Sequence, residues 1–171
     1  MSRPNPATPR RRKQRLVRDE ETADDELVML RASGSELAGA IDDIVRDALR
    51  SAAIYDVEVG PSRREALFGV SVFALRGGAE VGDVLDRFSS SPNYLAVTVG
   101  SLRRLGFAVL PTGSDANHFD VQLNPGIDGA DFELVADFVI EQAARRLVEA
   151  AGPLLPNPAY AGSTRRPGGE R

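Results

Sequence analysis

Apolar residues recur along this chain with two different periods, and the switches between them mark out its elements. "ELVMLR" is a short apolar run suited to a buried strand. In "SGSELAGAIDDIVRDALRSA" the residues Leu37, Ile41, Ile44, Val45, Ala48 and Leu49 return at helical spacing, with Ser35 placed to cap. "IYDVEV" then alternates, setting Tyr55, Val57 and Val59 on one face. "GPSRRE" supplies turn chemistry before "ALFGVSVFA", so the pair reads as a hairpin. "GGAEVGDVLDRF" places Val81, Val84, Leu85 and Phe88 on one helical side, and "SSSPN" stops it. "YLAVTVGSLRRLGF" starts as a strand and runs into a short helix, with Thr98 as its cap and Gly106 as a left-handed terminator. "FAVLP", "TGSDAN" and "HFDVQL" make a second hairpin. The strongest helix is "DGADFELVADFVIEQAARRLVEAAGP". Its buried stripe is Phe132, Val135, Val139, Ala143 and Leu147, and Asp137, Glu141, Arg145 and Glu149 run opposite.

The order β-α-β-β-α-(β)-α-β-β-α mixes hairpins with helices. This implies an α+β domain with a largely antiparallel sheet and about four helices, since a doubly wound fold would alternate more strictly. At 171 residues and 42% hydrophobic, the chain can build one core. The folded part is expected over 26–152. The proline-rich, charged stretches 1–25 and 153–171 read as disordered tails.

Composition removes several chemistries. The absence of cysteine excludes disulfides, thiolate nucleophiles and cysteine-held metals. A single histidine, His118, argues against most zinc sites, and no metal is expected. The only lysine, Lys13, lies in the N-terminal tail, so the domain has no phosphate-loop or Schiff-base lysine. Without an apolar span or a signal-like segment the protein is expected to be cytoplasmic, with no membrane contact. The net charge of -4 hides an uneven distribution. Residues 1–18 are basic without an acid, and Asp19, Glu20, Glu21, Asp24, Asp25 and Glu26 follow at once. Arg10, Arg11, Arg12, Lys13 and Arg15 form an arm able to meet nucleic acid phosphates. Such a block can equally be a solvated tail folded back on the acids.

Alternation in "HFDVQL" sends Phe119, Val121 and Leu123 one way and His118, Asp120 and Gln122 the other, so His118 is expected on the polar face. Glycine-rich "LRGGAEVGD" lacks dinucleotide-fingerprint spacing and reads first as a loop needing positive φ. Arg103 and Arg104 could join Arg63 and Arg64 in a phosphate-facing patch if they converge. Asp42 and Asp43 point to different sides of their helix and do not form a metal or glycosidase pair. Ser89, Ser90 and Ser91 lack a nucleophile-elbow pattern.

Three patches, "LVMLRA", "FGVSVF" and "NHFDVQLNPG" before a long last helix, resemble in order the small ADP-ribosyltransferase-like bacterial toxins, including those of toxin–antitoxin modules. The resemblance covers about a fifth of the folded region. It implies a split antiparallel sheet with NAD in the cleft and a neutralising protein partner. Arg31 would then grip the cofactor, Ser71 order the site and His118 stabilise the oxocarbenium-like centre, with Asp120 as helper. One feature departs from the family: the glutamate that many transferases carry at the end of a late strand has no counterpart, because "HFDVQL" ends on Gln122 and Leu123. A binding-only relative would share these residues. Two readings therefore stand, a toxin-type NAD-using transferase and a non-enzymatic accessory domain that meets nucleic acid or a protein through its basic arm.

Overall fold

The computed structural model describes the backbone of residues 22–51, 53–57, 63–76, 78–111, 115–123, 127–128 and 132–162. The chain is an α+β single domain in which one antiparallel sheet carries helices on both faces. Its strands are β1 (Leu27–Ala32), β4 (Gly69–Ala74), β5 (Asn93–Thr98), β6 (Ala108–Pro111), β7 (His118–Gln122) and β9 (Leu155–Pro156), in the order β6-β7-β4-β1-β5-β9. Every neighbouring pair is antiparallel. A smaller sheet of β2 (Ala53–Val57), β3 (Arg63–Leu67) and β8 (Ile127–Asp128) extends it, since only Phe68 separates β3 from β4.

The two-residue period of a strand sorts the side chains of the large sheet into two sets. Val28, Leu30 and Ala32, Val70, Val72 and Ala74, Leu95 and Val97, Val109, and Phe119 and Val121 all lie in one buried cluster. Two helices close over it: α1 (Leu37–Ser51) with Ala40, Ile44 and Ala48, and α4 (Phe132–Ala151) with Ile140, Ala143, Ala144, Leu147 and Val148. On the opposite face a smaller cluster gathers Met29 under Val84, Leu85 and Phe88 from α2 (Val81–Asp86) and the turn after it. Phe73, Tyr94, Ala96 and Ala159 lie at its rim. No helix among the described residues is long and apolar enough to cross a membrane.

Local signals act where they were expected. Thr98 accepts the Ser101 amide at the start of α3 (Val99–Arg104), and Gly106 takes φ 83° just beyond it, a conformation that costs an L-residue with a Cβ about 1–2 kcal/mol. Glu141 and Arg145 meet at 2.7 Å on the outer side of α4. The structure differs from the sequence reading in four places, the first being that the fold takes in residues before 26, with Thr22 buried and its carbonyl accepting from Arg103. Helix α1 starts at Leu37 rather than beside Ser35, and Leu37 itself is exposed. "ALFGVSVFA" is two strands, broken at the buried Phe68, and Arg63–Glu65 belong to β3 rather than to a turn. The fold also continues past 152. Leu155–Pro156 pairs with Asn93–Tyr94, and the buried Asn157 amide donates to the carbonyls of Phe88 at 2.9 Å and Ser91 at 3.0 Å, tying the turn after α2 to the chain end.

Candidate functional site

The sheet is interrupted between β1 and β4. β1 and β4 pair at Val28–Ala74 and Met29–Phe73, and the ladder then ends. The Leu75 amide bonds to the Leu27 carbonyl, so the alternation of an antiparallel ladder makes Arg31–Ser71 and Ser33–Gly69 the next hydrogen-bonded positions. Neither pair forms. The Ser71 amide donates instead to the Asp47 carboxylate of α1 at 3.2 Å, and the Ser33 amide donates to Asp43 at 2.8 Å. The Gly69 carbonyl accepts from the Ser51 hydroxyl at 2.5 Å. A split therefore opens between the last residues of β1 and the first of β4, bridged from the helical side by α1.

The two lips of the split carry opposite chemistry on the face away from α1 and α4. Arg31 stands on the β1 lip, exposed and making no ion pair with a described residue. On the other lip Ser71 lies directly across from Asp120 of β7, and its hydroxyl donates to the Asp120 carboxylate at 3.4 Å. Gln122 lies across from Gly69. A Cβ on Gly69 would stand 3.1 Å from Gln122 Nε2 and 3.3 Å from Asp120 Cβ, so the glycine is what lets both side chains cover the start of β4. Gln122 is only 7% exposed, and its Oε1 is buried without a hydrogen-bond partner among the described residues.

His118 shares this face, as alternation requires, but stands one pleat beyond Asp120, at ~6.5–7 Å of strand rise. Its cross-strand partner is Phe73, and the rings meet edge-on with centroids 5.1 Å apart. The imidazole is half-buried rather than open to water. It belongs with a separate group at the rim of the α2 cluster. There Arg87 covers the Phe73 ring at 5.1 Å from its centroid and pairs with Asp115 at the base of the β6–β7 hairpin. The Asn117 amide, donating at 2.9 Å, and then the Arg87 guanidinium hold the Asp115 carboxyl below its ordinary value of 3.8. His118 adds a smaller effect in the same direction.

Arg31 and Ser71 thus flank one feature, and His118 lies on the same face at some remove. Other candidates have other duties. Arg103 bonds the Thr22 carbonyl at 2.8 Å and pairs with Asp24, so it anchors the start of the fold and does not contribute to a phosphate patch with Arg104. The side chains of Arg63 and Arg64, and the whole basic arm with Arg10, Arg11, Arg12, Lys13 and Arg15, lie outside the described residues. Gly78 takes φ 79°, in keeping with a loop role. The Glu80 amide at the start of α2 is already bonded to the Asp83 carboxylate at 3.0 Å. No motif in the sequence marks Asp43, Asp47 or Ser51 as a set. The available signal was their i, i+4, i+8 spacing beside the apolar row Ala40, Ile44 and Ala48. No family model matches the chain, and no curated protein or solved structure matches it.

Proposed function

We propose that the domain binds a nucleotide of the ADP-ribose class, NAD first among them, across the split between β1 and β4. In this reading it acts as an ADP-ribosyltransferase-like toxin on a cellular macromolecule or nucleotide and is held in check by a protein partner. The observation that carries the reading is the opposition of chemistries on the two lips, with Arg31 on one and the Ser71–Asp120 pair on the other. Such a nucleotide asks for both. Its phosphate oxygens suit the planar fork of a guanidinium, and its ribose hydroxyls donate to a carboxylate, as they do in dinucleotide sites generally. Positive charge that develops on the ribose as nicotinamide departs is stabilised by a nearby carboxylate, and Asp120, steadied by Ser71, is the residue we assign to that role. His118 becomes a rim residue, packed on Phe73, that meets a more distant part of the ligand.

The test is calorimetric titration with NAD and ADP-ribose, together with an assay for released nicotinamide. Loss of one charge-assisted phosphate contact is worth about 1.5–3 kcal/mol, so Arg31→Ala is expected to weaken binding roughly 10- to 150-fold. Asp120→Asn should reduce nicotinamide release more than it reduces binding. Equal affinity in the wild type and Arg31→Ala, or no binding at all, would contradict the reading.

The second reading places nucleic acid or a protein on the basic arm. It draws on the acid-free charge of residues 1–18, which lie in sequence just before Thr22 and Asp24, the two residues that Arg103 ties to α3. It predicts salt-sensitive binding that disappears when residues 1–18 are removed.

A further inference from the structure

We infer that Asp43, Asp47 and Ser51 form a clasp on α1 that keeps the β1–β4 split open, and that Asp47 is a positioning residue for Ser71. The inference rests on the existence of the split and not on the identity of its ligand. Three groups that a continued ladder would have paired are each met by one side chain of a single helical row. The Ser71 amide, which would have donated to the Arg31 carbonyl, goes to Asp47 at 3.2 Å. The Ser33 amide, which would have donated to the Gly69 carbonyl, goes to Asp43 at 2.8 Å, and that Gly69 carbonyl accepts from Ser51 at 2.5 Å. Positions i, i+4 and i+8 lie one above another on a helix, so one edge of α1 runs along the split and substitutes for the missing strand bonds.

The pattern separates a built opening from a fraying strand end. In a frayed ladder the released amides and carbonyls would turn to solvent. Here the Ser71 and Ser33 amides and the Gly69 carbonyl each have a partner on the same helix. An aspartate inside a helix is a costly choice on propensity alone, and Asp47 makes its hydrogen bond to a strand rather than to its own helix. Asp43 is also held by Arg46 at 3.2 Å and accepts the Ser33 hydroxyl, which fixes the β1 side of the clasp. The consequence for the site is geometric. With Asp47 in place, Ser71 presents its hydroxyl to Asp120 while its amide stays off β1. Without it, β4 can zip against β1 as far as Arg31.

The experiment is amide hydrogen exchange by NMR on wild type, Asp47→Ala and Asp47→Asn, with NAD affinity measured on the same samples. The wild type is expected to show an Arg31 amide that exchanges fast beside slowly exchanging Met29. In Asp47→Ala the ladder should extend, so that Arg31 gains protection, by about tenfold or more, while the protection of Phe119 is unchanged or lower. A substitution that only loosens the fold can lower protection and cannot raise it at this one amide. Asp47→Asn keeps an acceptor oxygen and should behave as wild type. A through-bond coupling between the Ser71 amide and the Asp47 carboxylate in the unaltered protein gives a second measurement, independent of whether the alanine variant folds. An unchanged or reduced Arg31 protection in a folded Asp47→Ala protein, or absence of that coupling, overturns the clasp. If Arg31 gains protection and NAD affinity does not fall, the clasp stands and the nucleotide reading fails.

Discussion

On one face of the sheet Phe119, Val72 and Leu30 are sealed under α1 and α4; on the other, at the same strand positions displaced by one residue, Asp120, Ser71 and Arg31 stand beside a broken ladder. The first face obeys the hydrophobic pattern throughout. The second obeys it only where α2 covers Met29 and Phe73, and departs from it at the split. The difference teaches where the demand for packing stops: a one-residue step along β1, β4 or β7 crosses from the sealed core to polar groups beside the split.

The largest expected effect is on the packed face. Phe119→Ala removes a fully buried ring from the centre of the cluster and should cost about 3–5 kcal/mol in chemical denaturation, whereas Ser71→Ala, on the opposite face, should cost about 1 kcal/mol or less. Equal costs would erase the contrast between the faces. Gly69→Ala comes next. Its Cβ would press on Asp120 and Gln122, and overpacking of this kind is worth about 1–3 kcal/mol, with a displaced Asp120 visible as altered shifts along β7. Arg31→Ala sharpens the comparison from the other side, since an exposed arginine without an ion pair to a described residue should leave stability within about 0.5 kcal/mol while nucleotide affinity falls.

The smallest effect is on pH dependence. The Asp115 carboxyl is held below its ordinary value by the Asn117 amide and by Arg87, so the folded state favours the charged form. Its stabilising contribution is present above the ordinary value of 3.8 and is lost as pH falls through the lower folded value. Asp115→Asn should therefore flatten the acid limb of a stability profile and leave the neutral region with only a small offset. A profile identical to that of wild type would show that the ties of the Asp115 carboxylate to the Asn117 amide and Arg87 contribute nothing.

Much of the packed face was legible in advance because burial repeats with a fixed period. Phe119 and Val121 against His118 and Asp120 is the clearest case. The open face was legible only as a direction. That Arg31, Ser71 and Asp120 share it follows from alternation, but that the ladder ends between Arg31 and Ser71 depends on where α1 crosses, and Asp47 and Ser71 are far apart in sequence. Strand β9 was hidden for a similar reason. Leu155–Pro156 carries no periodic signal and becomes a strand only through Asn93 and Tyr94, while Asn157 is buried because it bonds the turn after α2. For His118, alternation gives the face but not the half-burial, since nothing local marks Phe73 as its neighbour across the sheet.

The central claim, that the split between β1 and β4 is a nucleotide site, is tested most directly by NMR titration of the full chain with NAD. The account predicts saturable shifts at Arg31, Ser71 and Asp120, weaker ones at His118, and none along the outer side of α4. Shifts confined to other surfaces, or none at millimolar NAD, would contradict it.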